Sequence, residues 1–196
     1  MTRSAIGRFA RPLLLAAVLV PLSPPCAPAA DALLRLRAFA VNMSGVGGGR
    51  AGTIDIVIER WSTDEEREKL RDVLIEKGAD KLLDTLKDIK PRTGYLRTST
   101  SLGWDTYYAR ETPFGDGGRR IIVATDRRMS FAERSNQPRS ADYEFTLVEI
   151  RLDKNGKGQG KYAVAAKIDY NKDTRTIEIE NYGIEPVRLT EVTVQK

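Results

Sequence analysis

Histidine is absent from this sequence of 196 residues, and cysteine occurs once, as Cys26. The absence of histidine excludes histidine-dependent catalytic triads and, with so few thiols, the usual zinc sites. A single cysteine also excludes an intramolecular disulfide, which oxidising compartments outside the cytosol would permit. Any chemistry of this chain must therefore use carboxylates, hydroxyls, lysine, arginine or tyrosine.

Long apolar runs are also scarce. Residues 13–20 form a short apolar core, below the ~20 residues that a membrane-spanning helix needs. Three arginines and no acidic residue precede this core: Arg3, Arg8 and Arg11. A segment rich in proline and alanine follows it, and this order is typical of a signal peptide. We predict that residues 1–30 are a cleaved signal peptide and that residues 31–196 are one secreted or periplasmic domain.

Cys26 allows a second interpretation of the N-terminal segment, as the lipidated residue of a lipoprotein. Such cleavage normally requires a small residue directly before the cysteine, whereas Pro24 and Pro25 stand here. Ordinary cleavage with loss of Cys26 is therefore favoured, and a lipid anchor at Cys26 is the alternative. After signal cleavage the chain is not expected to span a membrane.

The charge balance changes when residues 1–30 are removed. The whole chain has 32 basic and 27 acidic residues, and three of the basic ones lie in this segment, which leaves 29 against 27. A nucleic-acid-binding domain should show a strong basic surplus, so no nucleic-acid partner is predicted. The remaining chain is long enough to bury a core without disulfides or metals.

Alternating apolar residues and short turns predict an antiparallel β-rich domain. The predicted strands cover residues 33–43, 53–61, 95–98, 104–111, 119–126, 143–153, 161–170, 176–181 and 187–194. The fold class is α+β, with a mainly antiparallel sheet and one helical segment inserted after the second strand. A strongly bent sheet and an open barrel both fit this pattern.

The helical segment has recognisable ends. Ser62 stands three residues before Glu65, as in a capping box, and Pro91 ends the helical periodicity. Gly78 interrupts the apolar stripe, so one weakened helix and two separate helices are both possible.

Residues 47–52 satisfy the pattern G-x-G-x-x-G, but a strand follows instead of the helix that a dinucleotide site requires. We interpret this segment as a flexible hairpin loop with Arg50 at its tip, and no cofactor is predicted. Two segments approach a calcium loop without completing it. The first begins at Asp153, and the second comprises Asp169, Asn171, Asp173 and Glu180. Hairpin turns explain both better, so no metal site is predicted.

Six arginines lie close together in sequence, and the strongest binding candidates are among them. They are Arg119, Arg120, Arg127, Arg128, Arg134 and Arg139, and several fall in a long connection between strands. Arginine forks suit phosphate, sulfate or carboxylate groups, although charges on strand edges also prevent aggregation.

Aromatic residues cluster between Tyr95 and Phe114, where Trp104 could stack on a ligand, but core packing is the favoured interpretation. The same stretch holds Asp105 and Glu111, the first candidates for a carboxylate pair that hydrolyses glycans.

The leading functional hypothesis is a non-enzymatic exported domain that binds a small ligand or an envelope protein. Its candidate ligand-binding residues are Arg50, Trp104, Arg127, Arg128 and Arg134. A carboxylate-based glycan hydrolase and a structural or assembly protein that pairs through sheet edges are the alternatives.

Overall fold

In a computed structural model, the described residues of the chain form nine β-strands and two α-helices. The structure describes residues 32–42, 51–99, 101, 103–126, 145–171, 176–181 and 186–195. The strands are β1 (Leu34–Val41), β2 (Ala51–Ile58), β3 (Gly94–Thr98), β4 (Trp104–Phe114), β5 (Gly118–Thr125), β6 (Phe145–Leu152), β7 (Lys157–Asn171), β8 (Thr176–Asn181) and β9 (Val187–Gln195). The helices, α1 (Asp64–Lys77) and α2 (Ala79–Lys87), lie between β2 and β3.

Eight of the strands close into an antiparallel barrel. Their order around the barrel is β1, β2, β3, β4, β5, β6, β7 and β9, and β9 pairs with β1. The predicted fold class is confirmed, including the helical segment after the second strand. The barrel is closed rather than open, because β6 pairs with β7 as well as with β5.

Strand β8 lies outside this closed ring. β7 is 15 residues long, and only its first part lies between β6 and β9. Its last part pairs with β8, from Ala166 opposite Asn181 to Asn171 opposite Thr176. The β7–β8 hairpin therefore extends beyond the barrel.

Aliphatic side chains from seven barrel strands and the Tyr162 ring from β7 fill the interior. In β1 the buried residues alternate strictly with exposed ones, as expected for a strand with one face in a core. The buried cluster comprises Leu34, Leu36, Ala38, Ala40, Ile54, Ile56, Ile58, Leu96, Ala109, Ile121, Val123, Val148, Ile150, Leu152, Tyr162, Val187, Leu189 and Val192. Burial raises the pKa of the Tyr162 phenol, which therefore stays neutral.

The first helix begins one residue later than the sequence predicts. Thr63, not Ser62, is the N-cap: its hydroxyl accepts from the Glu66 amide at 3.2 Å, and the Glu66 carboxylate accepts from the Thr63 amide at 3.1 Å. Ser62 is buried and pairs with β4 instead, since its hydroxyl accepts from the Ala109 amide at 3.1 Å. The capping box is therefore real, but its predicted register was wrong.

Gly78 separates the two helices, at a φ of 83° that favours glycine. Both helices place apolar residues against the outside of the barrel and against the β7–β8 hairpin. This second cluster comprises Leu70, Leu74, Leu82, Leu83, Leu86, Ile89 and Ala124, with Tyr107, Tyr108, Leu147, Ile168 and Tyr170 packed on it. Neither helix is long and apolar enough to cross a membrane, within the part of the chain described.

A bulge in β4 allows adjacent tyrosines to pack on the helices. The pairing of β4 with β5 shifts register between Thr106 and Tyr108, and both Tyr107 and Tyr108 then contact the helical cluster. Strict alternation would place these two tyrosines on opposite faces of the strand, and the bulge removes that separation.

The helices cover only part of the barrel's outer face. Ala124 on β5 and Leu147 on β6 pack under them. Further along the same faces come Arg120 on β5, and Glu149 and Arg151 on β6. The change from apolar to charged side chains marks where the helical cover ends and the exposed barrel surface begins.

Candidate functional site

A groove of ≈ 550 Å³ crosses the uncovered outer face of β6, β7 and β9. Four of its lining residues are charged: Glu149 and Arg151 from β6, Lys161 from β7 and Arg188 from β9. Alternation along each strand turns these side chains outward, while Ile150, Tyr162 and Leu189 beside them point into the core.

Strand register brings the charges together. Arg120 lies opposite Arg151, and Lys161 lies between Glu149 on one side and Arg188 on the other. Oε1 of Glu149 accepts from Nε of Arg151 at 2.8 Å and lies 3.0 Å from Nε of Arg120. The Arg120 Nε is buried and makes no hydrogen bond, so this contact is electrostatic only.

The group carries a clear excess of positive charge. Among the described residues, Arg120 and Arg151 contact the Glu149 carboxylate. Lys161 lies opposite Glu149 and Arg188 lies opposite Lys161, so four cations accompany this one carboxylate in the described part of the surface. Lys161 forms no ion pair with any residue that the structure describes. Like charges directly opposite each other on neighbouring strands are destabilising, so a ligand anion would relieve the repulsion.

Protection of exposed strand edges does not explain these cations. Edge strands use charges to prevent aggregation. However, β5, β6, β7 and β9 each pair on both sides within the barrel, so none of them offers an edge here.

Two glycines of β7 allow the β6 and β7 backbones to approach each other closely beneath the groove. Gly158 and Gly160 lie on the inward face of β7, where β7 approaches the β6 backbone closely. A Cβ at Gly160 would lie 2.5 Å from the carbonyl oxygen of Glu149, and one at Gly158 would overlap the carbonyl oxygen of Arg151. The cations of the groove thus stand on a closely packed backbone that fixes their spacing.

A second groove of ≈ 740 Å³ continues from the first and shares Arg151 and Gln159 with it. It lies between the β4–β5 turn and the β6–β7 turn, and its lining includes Phe114, Lys154 and Lys157.

The first segment that resembles a calcium loop forms the β6–β7 turn. Oδ1 of Asp153 accepts from the amides of Asn155 at 2.8 Å and Lys157 at 2.9 Å. The hydrogen bond from the Lys157 amide is the main reason why the pKa of this carboxyl is lowered. The carboxylate therefore holds the turn, as the hairpin interpretation expects.

The second such segment lies in the β7–β8 hairpin. Its register places Asp169 opposite Glu178 and Glu180 opposite Lys167, while Asp173 lies outside the described residues. In the described ranges no three histidine, cysteine, aspartate or glutamate side chains are arranged to hold a metal ion.

Most of the predicted ligand-binding residues lie outside the described residues: Arg50, Arg127, Arg128 and Arg134. Trp104 is described, and it packs half-buried against the barrel interior, away from the groove. Of the predicted arginine cluster, Arg120 contacts Glu149, which lines the groove, whereas Arg119 pairs with Glu111 at 3.2 Å.

The two carboxylates of the hydrolase hypothesis do not form a pair. Asp105 accepts from Arg92 at 2.6 Å, and Glu111 accepts from Arg119 at 3.2 Å. They are six residues apart on β4, about 20 Å at ~3.3 Å per residue. Glycosidases need about 5 to 9.5 Å between the two groups.

Sequence reasoning missed Arg151, Lys161 and Arg188. Each of the three residues comes from a different strand, and they become neighbours only through the register in which β6, β7 and β9 pair. The available indication was that each occupies an outward position of a predicted strand.

No protein-family model, curated protein or solved structure matches this chain.

Proposed function

We propose that this protein is a non-enzymatic, exported binding domain that takes anionic ligands in the groove of β6, β7 and β9. The observation that carries the proposal is the direct opposition of Lys161 and Arg188, next to two arginines that share one carboxylate. Phosphate, sulfate and carboxylate groups are the ligand chemistry that such a surface recognises.

The barrel makes this surface rigid before a ligand arrives. Its cations stand on strands that are paired on both sides, so little backbone order has to be gained on binding. Binding should weaken as salt rises, because the attraction is between exposed charges.

Isothermal titration of residues 31–196 with pyrophosphate tests the proposal. We expect binding by the wild type and at least about tenfold weaker binding by an Arg151→Ala/Lys161→Ala double variant. A Lys69→Ala/Lys77→Ala double variant is the matched control, because it removes the same charge from exposed positions of α1. Equal affinities for the two double variants, or no binding by the wild type, would contradict the proposal.

Assembly through a sheet edge is the second candidate function, and one observation favours it. Within the described residues β8 pairs only with β7, which leaves its other edge for strand addition. Light scattering over a range of concentrations separates the two functions: a stable dimer or larger assembly supports the edge, and a monomer throughout opposes it.

A further inference from the structure

We infer that the anionic ligand is a linear acidic polysaccharide lying along the β6–β7 hairpin, from the first groove into the second. This inference rests on the proposed function, since it names the ligand class of the same site.

Cations recur along the hairpin over a distance that one small anion does not cover. Lys157, Gln159 and Lys161 are successive outward residues of β7, about 6.6 Å apart at ~3.3 Å per residue. Lys154 continues the row into the turn, and Arg151 faces Gln159 from β6. A single phosphate or carboxylate would contact only one end of this row.

The surface between the two grooves is continuous. Both are lined by Arg151 and Gln159, so a chain seated at Lys161 reaches Lys157 without leaving the protein. In the described part of the molecule, Lys154, Lys157 and Lys161 form no ion pair. The nearest carboxylate of the turn, Asp153, is engaged by backbone amides.

Neutral hydrogen-bonding side chains alternate with the cations. Gln159 stands between Lys157 and Lys161, and Thr190 and Asn155 lie at the two ends of the combined groove. Amides and hydroxyls bind sugar hydroxyl groups, and the cations bind the acidic groups between them. This alternation matches a polymer whose charges are separated by uncharged hydroxyl-bearing atoms.

Single-stranded nucleic acid fits the surface less well. Its binding sites use aromatic platforms on which successive bases stack. Among the described residues that line the combined groove, one is aromatic, Phe114, and the Arg151 guanidinium lies over its ring at 5.1 Å.

The test is a length series of oligogalacturonates, from the monomer upward, titrated into residues 31–196. Affinity should rise by about tenfold or more with length and then reach a plateau once the chain spans both grooves. A parallel series of sulfated oligosaccharides distinguishes carboxylate from sulfate as the recognised group. Oligothymidylate of equal charge tests the nucleic-acid outcome.

A Lys154→Ala/Lys157→Ala variant locates the far end of the site. It should lose the gain in affinity with length but keep the wild-type affinity for pyrophosphate, while Lys69→Ala/Lys77→Ala changes neither. Pyrophosphate binding without any gain for longer glycans would overturn this inference and leave the proposed function standing. Tighter binding of oligothymidylate would also overturn it, and a protein that binds none of these anions would overturn both.

Discussion

Arg92 holds together the two ends of the helical insertion. Its Nε and Nη2 donate to the Glu59 carboxylate at 3.0 and 2.9 Å, and its Nη1 donates to Asp105 at 2.6 Å. Its guanidinium also lies 5.1 Å from the ring of Tyr95. Glu59 precedes α1 and Arg92 follows α2, so this cluster fixes both the departure and the return of the chain.

Replacing Arg92 with alanine should destabilise the protein by about 1 to 3 kcal/mol, because Glu59 loses two charge-assisted hydrogen bonds while only partly exposed. The control is Arg71→Ala, whose partner Asp72 is exposed, and which should cost about 0.5 kcal/mol or less. Urea unfolding followed by circular dichroism measures both. Similar losses for the two variants would show that the Arg92 cluster adds no particular stability.

Asp55 should make the stability of the protein sensitive to acid. Its carboxylate accepts from Arg37 at 2.8 Å and from Arg97 at 3.2 Å, and the hydrogen bond from Arg37 is the main cause of its lowered pKa. Because the pKa is lower in the folded state than its unfolded value of about 3.9, the ionised group stabilises the fold above that pH.

This stabilisation should be lost as the pH falls from about 4 through the lower folded-state pKa of Asp55. Asp55→Asn should therefore flatten the dependence of the urea midpoint on pH in that range, and lower the midpoint at neutral pH. An unchanged pH profile in the variant would remove Asp55 as a source of acid sensitivity.

The predicted start of α1 was one residue too early, because two adjacent positions both fit a capping box. Ser62 and Thr63 are both good N-caps, and the residues three positions later, Glu65 and Glu66, are both glutamate. The selection of Thr63 as N-cap depends on Ala109, 47 positions further along the chain, whose amide donates to the Ser62 hydroxyl. Local pattern carries no information about such a partner.

At the scale of elements, the nine strands were predictable because most alternate clearly between apolar and polar residues. Barrel closure was left open, since it depends on register between distant segments, such as Phe39 opposite Thr190. The groove was missed for the same reason. Its cations come from separate strands, and nothing in the chain order makes Lys161 a neighbour of Arg188.

The close approach of β7 to β6 should make Gly158 intolerant of any side chain. A Cβ there would overlap the carbonyl oxygen of Arg151, a backbone atom that cannot move aside. Gly158→Ala should cost about 3 kcal/mol or prevent folding.

Gly52→Ala is the matched control, because a Cβ on that β2 glycine meets nothing within 4 Å. It should change stability by less than about 0.5 kcal/mol. Unfolding midpoints of the two variants give the comparison, and a stable Gly158→Ala protein would show that the two strands can separate locally.

At the scale of the whole molecule, the barrel depends on its last strand. β9 supplies Val187, Leu189 and Val192 to the interior and joins β1 to β7. Without it both neighbours would expose unpaired backbone groups and an open core.

Ending the chain at Pro186 should therefore leave an unfolded or aggregating protein. Ending it at Val194 should preserve the fold, because Gln195 is the last residue of β9 and pairs with Arg35 at the end of the β1–β9 ladder. Proton–nitrogen correlation spectra distinguish the two: dispersed amide signals indicate a folded barrel, and collapsed signals do not. A dispersed spectrum from the shorter chain would show that β9 is dispensable.

The pairing of β1 with β9 also sets the order of events when the protein is made. β1 cannot pair with β9 until β9 has been synthesised and has left the ribosome. Until then, the growing polypeptide carries apolar strands with no completed core to bury them. Such a chain is poorly suited to folding during translation, and a holding chaperone would protect it in that interval. The same delay in folding would keep the polypeptide unfolded, as passage through a narrow translocation channel requires.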